Sequence, residues 1–371
     1  MSEPAILFEE LPADAGKLGR VTLNVASTLH SLTLEMVDLL QAQLDAWRDD
    51  DSIGAIFIEG AGEKAFCAGG DVQALHASAV ATPGGPCEYA EAFFTREYRM
   101  NYTLHTYPKP LVCWGHGIVM GGGLGVMAGC SHRVVTERTR IAMPEVTIAL
   151  FPDVGGSWFL NHMPGSAGVF LALTGASINA ADAIYTGIAD RFIASEHKDT
   201  VVRQLLAQHW QTDSRANHSL VRHTLRPFAE HSIGAWPAGQ VEPHMATINA
   251  LCDGDSVHDI IDNITSQSTE DPWLSKARDS LAHGSSLAAR WIYQQLRETR
   301  HASLREVFQL EIQLATNIMR HPEFAEGVRA LLIDKDRQPA WQYANSRDVT
   351  DEVLAPFFSQ PWPENPLADL D

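Results

Sequence analysis

The sequence predicts an α/β protein in which strands and helices alternate in the first part and helices dominate the C-terminal region. Up to about residue 165, short apolar runs typical of buried strands are separated by amphipathic stretches, a pattern that indicates parallel β-α-β units. From about Ser166 onward the strand signals fade and helical periodicity takes over. We therefore expect a core over residues 1–205 and a helical region over residues 206–371.

The expected strands are short and apolar. Residues 20–25 form a β-prone run, and residues 55–58 and 111–114 are continuous apolar runs of the kind found in strands buried on both faces. Residues 133–135 and 141–142 are shorter examples. Such a series favours a sheet whose strands are connected by helices.

Helical spacing marks the stretches between and after these strands. Residues 33–47 carry apolar side chains at intervals of three and four, and residues 88–104 form an amphipathic stretch after a Pro/Gly loop at residues 81–86. Residues 287–296 and 304–319 show the same periodicity in the C-terminal region. These segments predict helices.

The chain is strongly acidic. It has 371 residues, with 27 Lys and Arg against 46 Asp and Glu, and a formal net charge of −19. This balance argues against nonspecific binding to nucleic acid or to an anionic membrane, although a local cluster of N–H dipoles can still bind an anionic small molecule. No apolar run approaches the roughly 20 residues that span a bilayer.

The cysteines and the first residues bear on the cellular compartment. Five cysteines, an odd number with no CxxC spacing, argue against a disulfide framework and against a thiolate zinc site. Residues 1–14 contain four acidic residues and lack the basic start and apolar core of a signal peptide. They are also more acidic than a typical organellar targeting peptide, so the sequence predicts a cytoplasmic protein.

Two glycine-rich segments can offer backbone N–H donors. Gly69 and Gly70 lie in a short turn, for which an ordinary structural role is the alternative. Residues 115–125 follow a predicted strand and precede a stretch that can open a helix. Such a segment can bind a phosphate or an oxyanion, or it can simply allow close helix–strand packing. It contains neither the Gly-Lys-Ser/Thr ending of a P-loop nor the dinucleotide-binding GxGxxG pattern.

Two carboxylates, Glu145 and Asp153, stand in the otherwise apolar residues 142–156. A buried carboxylate is costly without a partner or a task, so the pair indicates either a salt-bridged structural feature or a reactive site. Glu97 lies on the amphipathic stretch 88–104, where a solvated helix face is the alternative to a functional role. The sequence has no Gly-x-Ser-x-Gly elbow and no histidine metal spacing such as HExxH.

Taken together and in this order, these segments resemble the crotonase (enoyl-CoA hydratase/isomerase) superfamily. The glycine segments resemble the superfamily in general, whereas Phe151-Pro152-Asp153 and Ile333-Asp334-Lys335-Asp336 resemble its acyl-CoA hydrolase branch and extend the match over almost the whole chain. The resemblance implies a core of the crotonase type, a spiral of strand–strand–helix (ββα) units. The matching stretches are residues 21–24, 64–71, 117–123, 142–145, 150–156, 171–175 and 324–336.

The same resemblance implies an oxyanion hole made of two backbone N–H groups, those of Gly70 and Gly122. Both groups would hold the thioester oxygen of a substrate and stabilise the charge that develops on it. Gly122 is therefore expected to bind the substrate as well.

One difference from the hydratase pattern favours hydrolysis over hydration as the expected reaction. Hydratases of the superfamily use two glutamates; the first of these positions is Gly125 here, and the second is kept as Glu145. Asp153, and Glu97 on the preceding helix, match the hydrolase branch. The resemblance therefore implies Glu145 and Asp153 as catalytic residues, and Glu97, Gly122, Glu145 and Asp153 as substrate-binding residues.

The implied reaction is hydrolysis of the thioester of a 3-hydroxyacyl-CoA, with 3-hydroxyisobutyryl-CoA from valine degradation as the expected substrate. We expect no metal and no cofactor, since CoA is part of the substrate. The alternatives are an enoyl-CoA hydratase or isomerase, and a non-catalytic acyl-CoA-binding protein on the same fold. No nucleic-acid or membrane partner is expected, and a homo-oligomer is left open.

Overall fold

The computed structural model describes residues 3–371, and two β-sheets organise its first half. Most of the strands are short, as the sequence predicts. In chain order they are β1 (Ile6–Pro12), β2 (Lys17–Leu23), β3 (Ile53–Gly60), β4 (Ala65–Cys67), β5 (Leu111–Gly115), β6 (Ile118–Met120), β7 (His132–Val135), β8 (Arg140–Ala142) and β9 (Arg191–Phe192).

The larger sheet has the strand order β1-β2-β3-β5-β7-β9, and the smaller sheet has the order β4-β6-β8. In the larger sheet β1 pairs antiparallel with β2, and each following pair is parallel. Because this order follows the chain without reversing, the sheet has no switch point of the kind at which doubly wound folds bind dinucleotides. The predicted α/β class is confirmed.

The strands predicted at residues 20–25, 55–58 and 111–114 correspond to β2, β3 and β5. Every residue of β3 is buried, as expected for a strand inside a parallel sheet. Sequence analysis missed β1, because this edge strand buries only Ile6 fully and carries exposed Glu9 and Glu10. An edge strand that faces solvent lacks the continuous apolar run that marks the inner strands.

Helices connect the strands and account for most of the chain after β9. Within residues 193–371 no further strand follows, so the helical C-terminal region is confirmed.

Among the described residues no helix is both long and apolar enough to cross a membrane. The α-helices are α1 (Leu34–Arg48), α2 (Val72–Ala81), α3 (Glu88–His105), α4 (Gly122–Gly129), α5 (Gly156–Asn161), α6 (Ala167–Thr174), α7 (Ala180–Tyr185), α8 (Lys198–Leu206), α9 (Ser214–His231), α10 (Val241–Leu251), α11 (Val257–Ser266), α12 (Pro272–His283), α13 (Ser286–Glu298), α14 (Leu304–Met319), α15 (Pro322–Val328) and α16 (Asp351–Leu354).

The chain divides into two compact units, each assembled from separate segments. The first unit contains the larger sheet, and the second contains α10 to α16. The boundary predicted at residue 205 lies inside a segment of the first unit and stays a prediction. The first unit comprises the residues up to Gly70, Met100–Ile141 and Ile178–Gln240, and the second comprises Asp71–Arg99, Ala142–Ser177 and Val241–Asp371.

The hydrophobic core of the first unit packs the larger sheet against α8 and α9. Phe57 of β3 and Trp114 of β5 have ring centroids 6.4 Å apart. Leu205 of α8 and Val221 of α9 belong to the same buried cluster. The apolar side chains of the inner strands therefore form the surface against which these two helices pack.

One buried charge of the first unit is fully paired. Glu59, near the end of β3, accepts hydrogen bonds from Arg20 Nε at 2.8 Å and from Lys198 Nζ at 2.6 Å. Arg20 lies on β2 and Lys198 begins α8, so one carboxylate links two strands and a helix. The two cations offset the cost of removing this carboxylate from water.

We expect Glu59→Gln to lower the free energy of unfolding by about 1.5–3 kcal/mol, because the neutral amide loses charge-assisted hydrogen bonds and turns an NH₂ group toward a cation. Urea denaturation at pH 7 measures the loss. Glu63→Gln is the control, since Glu63 pairs with Arg138 on the surface and its side chain is 82% exposed, against 2% for Glu59. The control should change stability by less than about 1 kcal/mol; equal losses in both variants would contradict the prediction.

Candidate active site

The two glycine segments meet at one edge of the smaller sheet. β4 and β6 are neighbouring parallel strands, so the segments that follow them leave the sheet at the same edge. A Cβ atom on Gly69 would lie 3.9 Å from the amide nitrogen of Gly122. Gly70 and Gly122, the predicted oxyanion-hole residues, therefore belong to adjacent segments of the first unit.

The start of α4 approaches β4 so closely that it requires glycine. A Cβ atom on Gly123 would lie 2.3 Å from the carbonyl oxygen of Cys67, closer than any real contact. Gly121 turns the chain into the helix with a φ of +47°, a conformation that glycine adopts readily. Gly122 is the first residue of α4, and the N–H groups of a first helical turn have no partner within the helix. This geometry can present an N–H donor to an anionic oxygen.

The three predicted carboxylates form a buried cluster in the second unit. Glu97 lies on α3, Glu145 begins a 3₁₀ turn (Glu145–Ile148), and Asp153 lies in the loop that follows this turn. Their exposed fractions are 2%, 5% and 4%. The charge of Asp153 raises the pKa of both glutamates, so Asp153 lies close enough to interact with each of them.

Two of the structural alternatives that the sequence leaves open do not apply to these residues. Glu97 does not lie on a solvated face, because its side chain is buried. Glu145 and Asp153 are not a salt-bridged pair, since within residues 3–371 no basic side chain contributes to the pKa of either one. Glu97 Oε1 and Glu145 Oε2 are buried and have no hydrogen-bond partner among the described residues. A buried carboxylate oxygen without a partner is costly, so both atoms are available to accept a hydrogen bond from a bound substrate or water.

Asp153 has one protein partner in this cluster. Tyr98, next to Glu97 on α3, donates a hydrogen bond from its Oη to Asp153 Oδ2 at 2.7 Å. Burial raises the pKa of the Tyr98 hydroxyl well above its usual value, so the phenol keeps its proton and remains a donor. Tyr98 was not identified from the sequence, where it is one of several aromatic residues on an amphipathic helix.

Burial shifts the pKa values of the three carboxyl groups upward but to different extents. Burial, followed by the charge of Asp153, raises the pKa of Glu97 and of Glu145 well above the usual range. Burial raises the pKa of Asp153 to about 6, and the hydrogen bond from Tyr98 opposes this shift. Carboxyl groups whose pKa values are separated in this way can act as a proton donor and a proton acceptor near neutral pH.

The backbone around Asp153 adopts a strained turn. Val154 has a φ of +54°, an unusual conformation for a β-branched residue, and Gly155 follows with a φ of +83°. Glu311 of α14 accepts hydrogen bonds from the N–H groups of Gly155 and Ser157. Glu311 was also missed by sequence analysis, although it lies one turn after Val307 and one turn before Leu314 on the apolar face of its helix. A charged residue at such a position is the signal that could have identified it.

The structure therefore brings Gly70 and Gly122 together in the first unit, and Glu97, Glu145 and Asp153 together in the second. Across residues 3–371 no group of three or more His, Cys, Asp and Glu side chains is arranged to hold a metal ion. The chemistry of this cluster is that of interacting carboxyl groups next to a phenol.

Similarity to known proteins places the sequence in one family. The sequence model of the enoyl-CoA hydratase/isomerase family matches residues 18–358. A protein of Danio rerio named 3-hydroxyisobutyryl-CoA hydrolase, mitochondrial, is 36% identical over 95% of this chain and 89% of its own length. The protein of the same name from Homo sapiens is 37% identical over 93% of this chain and 87% of its own.

Solved structures of similar proteins confirm the predicted crotonase-type fold. A carnitinyl-CoA dehydratase from Mycobacterium thermoresistibile has a TM-score of 0.87 and 33% identity, and the match covers 99% of this chain and 100% of the other. An enoyl-CoA hydratase from Rhodobacter sphaeroides 2.4.1 has a TM-score of 0.82 and 31% identity, with 96% and 98% covered.

The prediction of a cytoplasmic location is wrong, because the curated relatives are named as mitochondrial proteins. The prediction depended on an acidic composition and on acidic first residues. Import receptors recognise targeting segments, and the net charge of the folded protein does not determine its compartment.

We expect Asp153→Asn to gain stability relative to the native protein as the pH rises. The unfolded carboxyl loses its proton near pH 3.8 and the folded one near pH 6, so the folded state binds more protons between these values and native stability falls across that window. The variant lacks this loss, and its advantage should grow by about 1–3 kcal/mol between pH 3.5 and pH 7.5.

Urea denaturation at a series of pH values measures this advantage. Asp369→Asn is the control with the opposite sign, because a hydrogen bond from Arg99 lowers the pKa of the exposed Asp369. That control should gain no stability as the pH rises. A constant difference between the Asp153 variant and the native protein across the window would contradict the prediction.

Proposed function

The chain belongs to the enoyl-CoA hydratase/isomerase family, and we propose that it hydrolyses the thioester of 3-hydroxyisobutyryl-CoA. The curated relatives carry this activity in their names. At the level of residues, the proposal depends on the carboxylate oxygen of Glu145, which is buried without a protein partner beside the charge of Asp153. Water adds across the C–S bond and gives 3-hydroxyisobutyrate and free CoA, a step expected in valine degradation.

In this proposal the backbone N–H groups of Gly70 and Gly122 form the oxyanion hole. Attack on the thioester carbonyl makes its carbon tetrahedral and places negative charge on its oxygen. N–H donors directed at that oxygen bind the transition state more tightly than the ground state, which lowers the barrier. One such donor is worth roughly 3–4 kcal/mol in a serine protease.

Glu145 is the proposed central residue, and two routes are open to it. As a nucleophile, its carboxylate attacks the carbonyl carbon, expels the CoA thiolate and forms a mixed anhydride that water then hydrolyses. As a general base, it takes a proton from the water that attacks. Burial and the charge of Asp153 raise the pKa of Glu145, which makes its ionised form a stronger base.

The other two carboxyl groups are proposed to handle the leaving group and the substrate hydroxyl. Asp153 either delivers a proton to the departing thiolate or binds the 3-hydroxyl group, and Glu97 orients that hydroxyl or a water molecule. A pKa of about 6 for Asp153 suits proton transfer near neutral pH. The reaction moves only protons and an acyl group, so we propose that no metal or redox cofactor is needed and that CoA enters as part of the substrate.

An enoyl-CoA hydratase is the second candidate, because the similar solved structures include a hydratase and a dehydratase. Gly125 disfavours it, since glycine cannot move a proton at the position where hydratases of the superfamily carry their first glutamate. A non-catalytic acyl-CoA-binding protein is disfavoured by the buried carboxylates, which are costly to keep without a task.

The first test measures the release of CoA thiol from a panel of acyl-CoA thioesters. We expect turnover with 3-hydroxyisobutyryl-CoA, and we expect Glu145→Gln to reduce kcat by at least about 10²-fold, the low end for lost acid–base catalysis. Glutamine has nearly the same shape, so the fold should remain intact.

Glu323→Gln is the matched control, since Glu323 is a buried glutamate of the same unit that accepts hydrogen bonds from Ser285 Oγ and the Gln342 N–H. Near-native thiol release by folded Glu145→Gln would refute the role of Glu145. Hydration of crotonyl-CoA without thiol release from any thioester would favour the hydratase instead.

A second prediction concerns the 3-hydroxyl group of the substrate. If Asp153 binds it, isobutyryl-CoA leaves a buried carboxylate unpaired, and kcat/KM should favour the hydroxylated substrate by roughly 1.5–3 kcal/mol. Asp153→Asn should then reduce this discrimination, because a neutral amide is less costly to leave unmatched.

The alternative role of Asp153, proton delivery to the thiolate, predicts that Asp153→Asn slows both substrates by the same factor. Measuring kcat/KM for both thioesters with both proteins therefore separates the two roles. A native enzyme without any preference between the substrates would contradict the 3-hydroxyacyl assignment.

A further inference from the structure

We propose that Glu311 is a positioning residue that holds the turn carrying Asp153, so that α14 contributes to catalysis through the backbone of this turn. The inference depends on the proposed thioester hydrolysis. Glu311 is fully buried in the middle of α14, and both of its carboxylate oxygens accept hydrogen bonds from the main chain that follows Asp153.

Each of the three backbone N–H groups that follow Val154 has an acceptor in this turn or on Glu311. Glu311 Oε2 accepts from the Gly155 N–H at 2.7 Å, and Glu311 Oε1 accepts from the Ser157 N–H at 2.9 Å. Between them, the Gly156 N–H donates to the carbonyl oxygen of Asp153 itself at 2.7 Å. The three N–H groups that follow Val154 are therefore all satisfied, two of them by one side chain.

The turn needs such support because its backbone is strained. Val154 has a φ of +54°, and a β-branched residue in the left-handed region persists only where its surroundings hold it there. The two bonds from Gly155 and Ser157 to Glu311 fix the chain directly after Val154. Releasing them would let Val154 relax, and the direction of the Asp153 side chain would change with it.

The same helix also supports the side chain of Asp153. Phe308, one turn before Glu311, packs against Tyr98 with ring centroids 6.0 Å apart. Tyr98 in turn donates its hydroxyl hydrogen bond to Asp153 Oδ2. α14 therefore holds Asp153 by two routes, one through the backbone and one through a phenol.

A carboxylate suits this task better than a neutral side chain. Two backbone N–H donors point at one residue, and a carboxylate supplies an acceptor oxygen for each. A glutamine supplies one oxygen and turns its NH₂ group toward the second donor. Burial raises the pKa of the Glu311 carboxyl, and the hydrogen bonds from the Gly155 and Ser157 N–H groups oppose this shift because they favour the ionised form that accepts both.

The test compares Glu311→Gln with a matched control. Asp182 of the first unit is also a buried carboxylate that accepts from two backbone N–H groups, those of Asn179 and Gln240. We expect Glu311→Gln to lower kcat for 3-hydroxyisobutyryl-CoA by about 10- to 100-fold with little change in KM, because misplacing a reacting group by about 1 Å costs up to about 10²-fold. Asp182→Asn should lose stability but keep kcat near the native value.

A double-mutant cycle distinguishes positioning from general destabilisation. If Glu311 acts through Asp153, then Glu311→Gln should lower kcat far less in an Asp153→Asn background than in the native protein. Independent, multiplicative losses in the two backgrounds would overturn the proposal. A folded Glu311→Gln protein with a kcat within about twofold of the native value would overturn it as well.

A second variant covers the case in which Glu311→Gln does not fold. Glu311→Asp keeps the charge but withdraws the carboxylate by one methylene, so it should show a smaller loss of kcat with the same dependence on Asp153. A native kcat in Glu311→Asp would then overturn the proposal. A native enzyme that releases no CoA would refute the proposed function and the positioning role together, whereas an active native enzyme with unaffected Glu311 variants would refute the positioning role alone.

Discussion

Removing a carboxylate from water without a compensating cation costs several kcal/mol. The second unit nevertheless buries several carboxyl groups. Glu97, Glu145, Asp153 and Glu311 are all buried, and their pKa values are all raised by burial. A phenol and main-chain N–H groups serve as partners in place of lysine or arginine. A cation at this place would lower the pKa values again and would compete with the substrate for the carboxylates.

In the first unit, backbone N–H dipoles are proposed to stabilise the negative charge of the oxyanion. The oxyanion of the proposed reaction carries a full negative charge only in passing, and N–H groups fixed by tight backbone packing can stabilise it without a permanent charge. The contact between Gly123 and Cys67 shows how close that packing is. The contrast with Glu59 is instructive, because there a permanent carboxylate is matched by Arg20 and Lys198. Glu59 is paired with two cations, whereas in the described part of the chain no basic side chain lowers the pKa of Glu145 or Asp153, the two carboxylates assigned to catalysis.

Sequence patterns predicted those features whose residues stand out from their neighbours. The inner strands β3 and β5 are continuous apolar runs, and Glu145 and Asp153 are charges within an apolar segment. β1 was missed because an edge strand is only partly buried. Tyr98 resembles any aromatic residue of a packed helix, whereas Glu311 gave a signal that was not used, since it is a charge on the apolar face of its helix. Backbone conformations such as that of Val154 arise from contacts distant in sequence, and no local pattern reveals them.

The link between Glu311 and the turn after Asp153 has a consequence for biosynthesis. The two hydrogen bonds join residues 156 and 154 positions apart in the chain. A ribosome that has translated the chain as far as residue 300 has already made Gly70, Glu97, Gly122, Glu145 and Asp153, but it has not yet made α14. The nascent polypeptide therefore carries all the proposed reactive groups before Glu311, which accepts hydrogen bonds from the turn after Asp153, has been made. Contacts of high sequence separation form late in folding, so full activity would arrive only after α14 has been made.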